Sequence, residues 1–247
     1  MKETLLDAWT VTQKELRELM ATRGRSPGGI FLVAAVITLL GIVLPLQAGP
    51  QWLDNAWLLS LWAWVPVFIV ATVVADSVAG ERERHTLETL MASPLPDRAI
   101  LLGKISAAVI YGWGLMLITI ITSIAAINIV YAREQLLLYR PTLLISGALL
   151  SLLTSILAAS FGVLVSLRAR SVRQAQRIIM FTLAAIFTLH IVAAPLATHF
   201  MPNAGHITLE SLYLVAAIAL VLVVINFVLL RTAMHWFHRC RLQMVSR

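Results

Sequence analysis

Six uncharged or nearly uncharged stretches recur along this chain of 247 residues, each about the length that crosses a lipid bilayer. They cover residues 30–46, 56–75, 105–131, 143–167, 178–197 and 212–230. A helix rises 1.5 Å per residue, so about 20 residues cross the hydrocarbon layer of ~30 Å. Because backbone groups in lipid must be hydrogen-bonded within their own segment, we predict six transmembrane helices and an all-α membrane fold.

The composition agrees with lipid as the main solvent of this chain. Hydrophobic residues make up 60% of it, charged residues only 13%, and the mean hydropathy is +0.87. No polar block is long enough for a second folded unit, so we predict one membrane domain over residues 29–231. A cytoplasmic connecting segment, residues 1–28, precedes this domain, and a cytoplasmic tail, residues 232–247, follows it.

The basic residues predict the orientation of the spans. Seventeen of the 19 Lys and Arg residues fall in the two terminal segments and in the loops after the second and fourth spans. Cytoplasmic loops carry such an excess of positive charge, so we expect a multi-pass protein with both termini in the cytoplasm. The membrane is expected to be a prokaryotic plasma membrane. The net charge of +7 then follows from topology, and we expect no nucleic-acid partner.

The first 28 residues have the pattern of an amphipathic helix that lies on the inner leaflet and contacts membrane lipid. Its apolar residues fall near one helical face, while the charged residues at positions 14, 15, 17 and 18 fall largely off that face. A break at Ser26-Pro27-Gly28-Gly29 then turns the chain into the first span. The helix is either a simple anchor or a lateral arm that transmits movement from a motor. The apolar residues are Leu5, Leu6, Trp9, Leu16, Leu19 and Met20.

Aromatic residues gather near two span ends. Trp52, Trp57, Trp62 and Trp64 lie toward the outer end of the second span, and Trp236 with its neighbour at 237 follows the sixth. Tryptophan is enriched at membrane interfaces, so these rings are predicted to form an aromatic belt.

The segment between the second and third spans combines charge with sharp breaks. Asp76 stands where the second span ends, and Gly80 is predicted to permit a turn. Pro94, with a second proline two residues later, ends the helix that follows. Asp97 is then expected to cap the third span, and Lys104 marks the return to lipid. We predict a short helix over residues 80–93, between two spans.

That short helix is predicted to be amphipathic. Glu81 and Glu83 are expected in its first turn, where carboxylates suit the positive end of the helix dipole. Leu87, Leu90 and Met91 would form one apolar face that can dock into a groove on a soluble partner. The positive-inside rule explains the arginines of this segment but not the acidic residues between them.

The run DSVAGERERHTLETL, which starts at Asp76 and is followed by Pro94, Arg98 and Gly103-Lys104, resembles the signature of ABC-2 type transporter permeases. The six spans and the preceding amphipathic helix extend the resemblance over the whole chain. One departure is His85, where the family often has a glycine or a small or basic residue. The resemblance implies that residues 80–93 are a coupling helix, whose ends are braced by Asp76, Gly80, Pro94 and Lys104. It implies contact with a nucleotide-binding ATPase subunit through Glu81, Arg82, Glu83, Arg84, Thr86, Leu87, Glu88, Leu90 and Met91.

The ATPase is expected to be a separate polypeptide. Gly103-Lys104 superficially suggests a phosphate-binding loop, but that motif needs Gly at 98 and Ser or Thr at 105, where this chain has Arg98 and Ile105. We therefore expect ATP and Mg²⁺ to bind the partner subunit, and we expect neither a cofactor nor a catalytic site in this chain. The histidines and the cysteine near residues 235–240 favour interfacial packing over a metal site. Six spans are half of what family members use, so the resemblance implies a second copy or a related permease.

Three functions are compatible with the sequence. The leading hypothesis is an exporter permease, driven by the separate ATPase. His190, the titratable residue deepest in a span, either lies on the translocation path or hydrogen-bonds a neighbouring helix. The alternatives are an ATP-independent carrier or channel, which usually has midplane charges, and a non-transporting scaffold subunit. An ATPase gene next to the gene of this chain would favour transport.

Overall fold

The protein is described by a computed structural model over residues 2–85, 95–132, 135–200 and 209–245. Every regular element in these ranges is helical, which confirms the all-α prediction. The helices are α1 (Lys2–Arg25), α2 (Pro27–Thr38), α3 (Leu44–Ala48), α4 (Gln51–Asp54), α5 (Ala56–Glu83), α6 (Asp97–Tyr131), α7 (Pro141–Arg168), α8 (Val172–Phe200) and α9 (Leu209–Val245). A π-helical turn, Leu39–Val43, joins α2 to α3.

Six stretches of these helices are long and apolar enough to cross a membrane, which confirms the predicted number of spans. They are Pro27–Ala48, Trp64–Glu83, Asp97–Tyr131, Pro141–Arg168, Val172–Ala193 and Val215–Phe237. The chain is thus an integral, multi-pass membrane protein. The first span consists of α2, the π-helical turn and α3. The sixth lies within α9, which continues through most of the segment predicted as a tail.

Helices α5, α6 and α7 form the centre of the bundle, and small residues let them approach closely. A Cβ added to Gly112 of α6 would lie 2.8 Å from Val70, and one added to Gly162 of α7 would lie 3.0 Å from Val74. On α7, Ser155 and Ala159 are fully buried. Lipid supplies little hydrophobic drive between helices, so such close contacts supply much of the packing energy. By contrast, the first, fifth and sixth spans leave most of their surface uncovered by this chain.

Helix α1 lies against α6 by a face that differs from its predicted apolar face. Ala8, Val11 and Thr12 are buried between the two helices. Leu6 and Trp9, from the predicted apolar face, are 67% and 55% exposed. Leu5 and Met20 are exposed as well, and these residues are free to contact a bilayer, whereas Leu19 packs against the core of the bundle. The position of α1 on the inner leaflet stays a prediction.

Two expectations about the interspan segment were wrong. Helix α5 does not turn at Gly80 but continues to Glu83, so Glu81 lies in the last turn of α5 and not in the first turn of a new helix. Asp97 does not occupy the cap position of α6, which belongs to Pro96. It lies in the first turn, where its carboxylate still suits the positive helix end.

The aromatic-belt interpretation was wrong for two residues. Trp52 is only 2% exposed and packs in an apolar cluster with Leu53 and Tyr139. Phe237 is 1% exposed and belongs to the central core. Trp236 is partly exposed, and the Arg168 guanidinium lies 4.4 Å from its ring centre. Tertiary packing, which periodicity does not report, decided which rings face outward.

Candidate functional site

Lys104 connects three helices at the end of α5. Its ammonium group lies 2.7 Å from Oε1 of Glu81 on α5 and 2.9 Å from Oε1 of Glu15 on α1. The lysine side chain, near the start of α6, is 3% exposed, and each glutamate side chain is 18% exposed. A buried cation needs such partners, because removing one member of a buried ion pair leaves an uncompensated charge.

A glycine lets α1 come close enough for this contact. Gly103 precedes the lysine, and a Cβ added to it would lie 2.6 Å from the Cβ of Val11 and 3.0 Å from the carbonyl oxygen of Ala8. The hydroxyl of Thr12 also lies 3.4 Å from the Gly103 carbonyl oxygen, to which it donates. Helix α1 therefore rests directly on the backbone of α6, one residue from the buried charge.

Arg82 and Glu83 hold the corner between α7 and α8. The Arg82 guanidinium donates to the carbonyl oxygens of Leu167 at 3.0 Å and Ala169 at 2.7 Å, where α7 ends. Oε1 of Glu83 accepts from the backbone N–H of Val172 at 3.0 Å, where α8 begins. Each charge suits the helix end that it contacts, because helix C-termini carry partial negative and N-termini partial positive charge.

Ser166 fastens α7 to α5 one turn before that corner. Its hydroxyl accepts from the N–H of Ala79 at 2.9 Å and lies 3.2 Å from the carbonyl oxygen of Ala75, to which it donates. The hydroxyl therefore meets two backbone groups that would otherwise bond only to each other. We call this set of contacts around the end of α5 the junction; it includes Glu15, Glu81, Arg82, Glu83, Lys104 and Ser166.

Among the described residues, Asp76 forms its ion pair with Arg84, eight residues further along the chain. Its two carboxylate oxygens accept from Arg84 at 2.7 and 2.6 Å, across the side of Gly80. A Cβ on that glycine would collide with the Asp76 carboxylate, which explains why a glycine occurs inside the helix. The hydrogen bond to Asp76 raises the pKa of Arg84 above its ordinary value. Both side chains are well exposed, so this pair contributes at most about 1 kcal/mol.

The chain leaves the junction through a left-handed residue. His85 has φ 56°, a conformation that favours glycine. His85 therefore stands where the family often has glycine, and its backbone geometry is one that glycine adopts without strain. The remaining predicted coupling residues lie outside the described residues; they are Thr86, Leu87, Glu88, Leu90, Met91 and Pro94.

His190 lies among aromatic rings between α5 and α8. Its ring centre is 5.8 Å from that of Trp64, and Phe187 lies one turn earlier on the same helix, with its ring centre 5.2 Å from that of Trp64. Trp64 and Phe187 also line an apolar cavity of about 430 Å³ between the first, second and fifth spans. The histidine is therefore placed beside this cavity by the same packing.

A comparison with protein families identifies the chain. A family described as ABC-2 family transporter protein matches residues 45–221, which is more than half of the sequence. The chain belongs to this ABC-2 family. No curated protein matched it. The family is a membrane transport component that generally works with an ATPase subunit.

In this ABC-2 protein, sequence reasoning missed two members of the junction. Glu15 was placed among the solvated charges of α1, although the lysine opposite it is buried and requires carboxylate partners. Ser166 was not singled out within the fourth span. The signal for Glu15 was its position four residues after Val11 and three after Thr12, which are buried on the same helix face.

Proposed function

We propose that this chain is the permease subunit of an ATP-binding cassette exporter in a prokaryotic plasma membrane. A separate subunit would bind ATP and Mg²⁺ and hydrolyse ATP, and the permease would convert its movement into transport of a substrate. The observation that carries this proposal is the junction: the last turn of α5, at the start of the predicted coupling segment, is fastened to α1, α6, α7 and α8.

The junction is suited to passing on a force. Packed helices move as rigid bodies and change between discrete arrangements, because a close-packed interior does not deform continuously. A displacement applied at residue 86 would reach α5 directly. It would then reach α6 and α1 through Lys104, and the α7–α8 corner through Arg82 and Glu83. The first residues of the predicted coupling segment would thus contact other helices of the permease and transmit the displacement to them.

This geometry refines the roles that the resemblance implies. Each of the four charged residues from 81 to 84 has a partner within the chain. We therefore assign Glu81, Arg82, Glu83 and Arg84 mainly to contacts that hold the start of the coupling segment in place. Docking on the ATPase subunit would fall to the segment that follows, above all to Leu87 and Leu90. An apolar stripe on a short helix suits a groove on a soluble partner.

A second permease half completes the proposal. The first, fifth and sixth spans leave most of their surface uncovered by this chain, so lipid and a second copy or related permease would cover them. The substrate path would run between the two halves. His190 is a candidate for that path because it lies beside the apolar cavity.

A pulldown from the native membrane tests the partner. The detergent-solubilised wild type should bring down a chain with a phosphate-binding loop, and Leu87→Asp/Leu90→Asp should lose it. The matched control is Leu136→Asp/Leu138→Asp, because these leucines are 78% and 62% exposed in the loop after the third span. The control should keep the ATPase.

Each other outcome has a distinct meaning. If the Leu87/Leu90 variant keeps the ATPase, the docking surface lies elsewhere and the coupling role of this segment is refuted. If the wild type brings down no ATPase, the chain serves as a carrier or scaffold. If the ATPase is present but reconstituted vesicles show no ATP-dependent movement of any co-purified substrate, the scaffold function is favoured.

A further inference from the structure

We call the cavity between the first, second and fifth spans the slot, because its lining residues extend along three helices. On α8 its lining extends from Met180 to Ile191, which corresponds to about 16 Å along the helix axis. Its walls are almost wholly apolar, with Val36 and Phe68 on facing helices. Among the described residues that line it, Thr72 alone carries a hydroxyl group.

A half-buried arginine lies at this hydroxyl. Nη1 of Arg23, near the end of α1, donates to Oγ1 of Thr72 at 2.9 Å. In the described ranges no carboxylate forms an ion pair with Arg23, and the nearby Asp76 is bound to Arg84. Burial lowers the pKa of Arg23 from its ordinary value, while Tyr111 and Asp76 act in the opposite direction.

We propose that the cavity binds a single-chain amphiphile, with its apolar chain in the slot and its anionic head on Arg23. A guanidinium group has five N–H donors, and this one makes a single hydrogen bond to a neutral side chain within the described residues. A carboxylate or phosphate group would supply charge-assisted hydrogen bonds and compensate the partly desolvated charge. The slot is long and nearly free of polar groups, which suits an acyl chain.

The binding site requires the membrane fold but not the proposed transport function. The same chemistry could come from a transported substrate or from a lipid that resides in the bundle. A simpler role for Arg23 is contact with the headgroups of the surrounding bilayer. That role would be shared by the exposed Arg25 two residues later, which gives a matched control on the same helix.

The test uses the full chain in nanodiscs of phosphatidylcholine and two photoactivatable probes of equal length, a diazirine derivative of myristic acid and the corresponding alcohol. Arg23→Gln should raise the half-saturating concentration of the acid about tenfold or more and leave that of the alcohol unchanged. Arg25→Gln should change neither value. Val36→Trp, which fills the slot, should weaken both probes.

Mass spectrometry of the labelled peptides locates the bound chain. Label on α2, α5 and α8 around the slot supports the site. The proposal is overturned if Arg23→Gln and Arg25→Gln have the same effect, if Arg23→Gln weakens acid and alcohol alike, or if the label falls outside the slot.

A second arm identifies the source of the ligand. The complex with the ATPase subunit is loaded with the labelled acid and given ATP. Release that depends on ATP hydrolysis identifies a substrate, and retention identifies a resident lipid. If no ATPase partner exists, the proposed function fails while the binding result stands, so the two failures are distinguishable.

Discussion

Replacing Lys104 with methionine should lower the free energy of unfolding by about 3–5 kcal/mol, the range for losing one partner of a buried ion pair. Methionine keeps the length of the side chain but removes the ammonium group that Glu15 and Glu81 share at 2.9 and 2.7 Å. Two carboxylates would then face each other without a cation. Each glutamate side chain is 18% exposed and so can gain some hydration, which favours the lower end of that range.

The same reasoning predicts a rescue. The triple variant Glu15→Gln/Glu81→Gln/Lys104→Met carries no charge at this position and should lie within about 1 kcal/mol of the wild type, because a neutral set of similar volume often replaces a buried ion pair without loss. Lys14→Met serves as the control. It removes an exposed pair with Glu18, which contributes only about 0.3–0.5 kcal/mol.

Unfolding in mixed micelles, followed by far-ultraviolet circular dichroism, measures these free energies. If Lys104→Met costs no more than Lys14→Met, the ammonium group of Lys104 does not stabilise the junction as a buried ion-pair partner. If the triple variant is as unstable as the single one, the loss comes from packing and not from uncompensated charge, and the buried ion pair is again refuted as its cause.

Three further predictions use the same assay. Gly103→Ala should destabilise the protein by about 1–3 kcal/mol, because the new Cβ has no room against α1. The control is Gly114→Ala on the same helix, whose Cβ meets nothing within 4 Å and which should not destabilise the protein. Equal effects of the two substitutions would contradict the close approach of α1. His85→Gly should stabilise the protein by about 0.5 kcal/mol. The substitution removes the energetic cost of a left-handed backbone at a non-glycine residue, and the extra conformational entropy of glycine in the unfolded chain offsets part of this gain. A loss of stability would argue against the positive φ at this position. Arg82→Met should lower the free energy of unfolding by about 1–2 kcal/mol at low and at high salt. Arg84→Met should lower it by less than about 1 kcal/mol, and this effect should disappear in 1 M salt because the pair with Asp76 is exposed. The same salt dependence for both variants would refute the difference in burial between the two arginines.

The interspan segment illustrates where sequence reasoning stopped. The charges from residue 76 onward suggested the end of the second span, and Gly80 suggested a turn before a new short helix. In the structure α5 continues as a helix to Glu83, because the charges find partners on neighbouring helices and the glycine leaves room for the Asp76 carboxylate. A pattern of charge shows that groups are polar but not whether another helix neutralises them.

The spans and their number followed from the sequence alone, since the transfer of a segment into lipid depends mainly on its own side chains. The family resemblance likewise rested on a local run of residues. The partners within the junction were decided only by the tertiary structure. Lys104 meets Glu15, 89 residues away, and Arg82 meets the carbonyl of Ala169, 87 residues away. Such pairs depend on the rotation and separation of packed helices, which are set by close contacts such as that of Gly103 with α1 and are not encoded in any single segment.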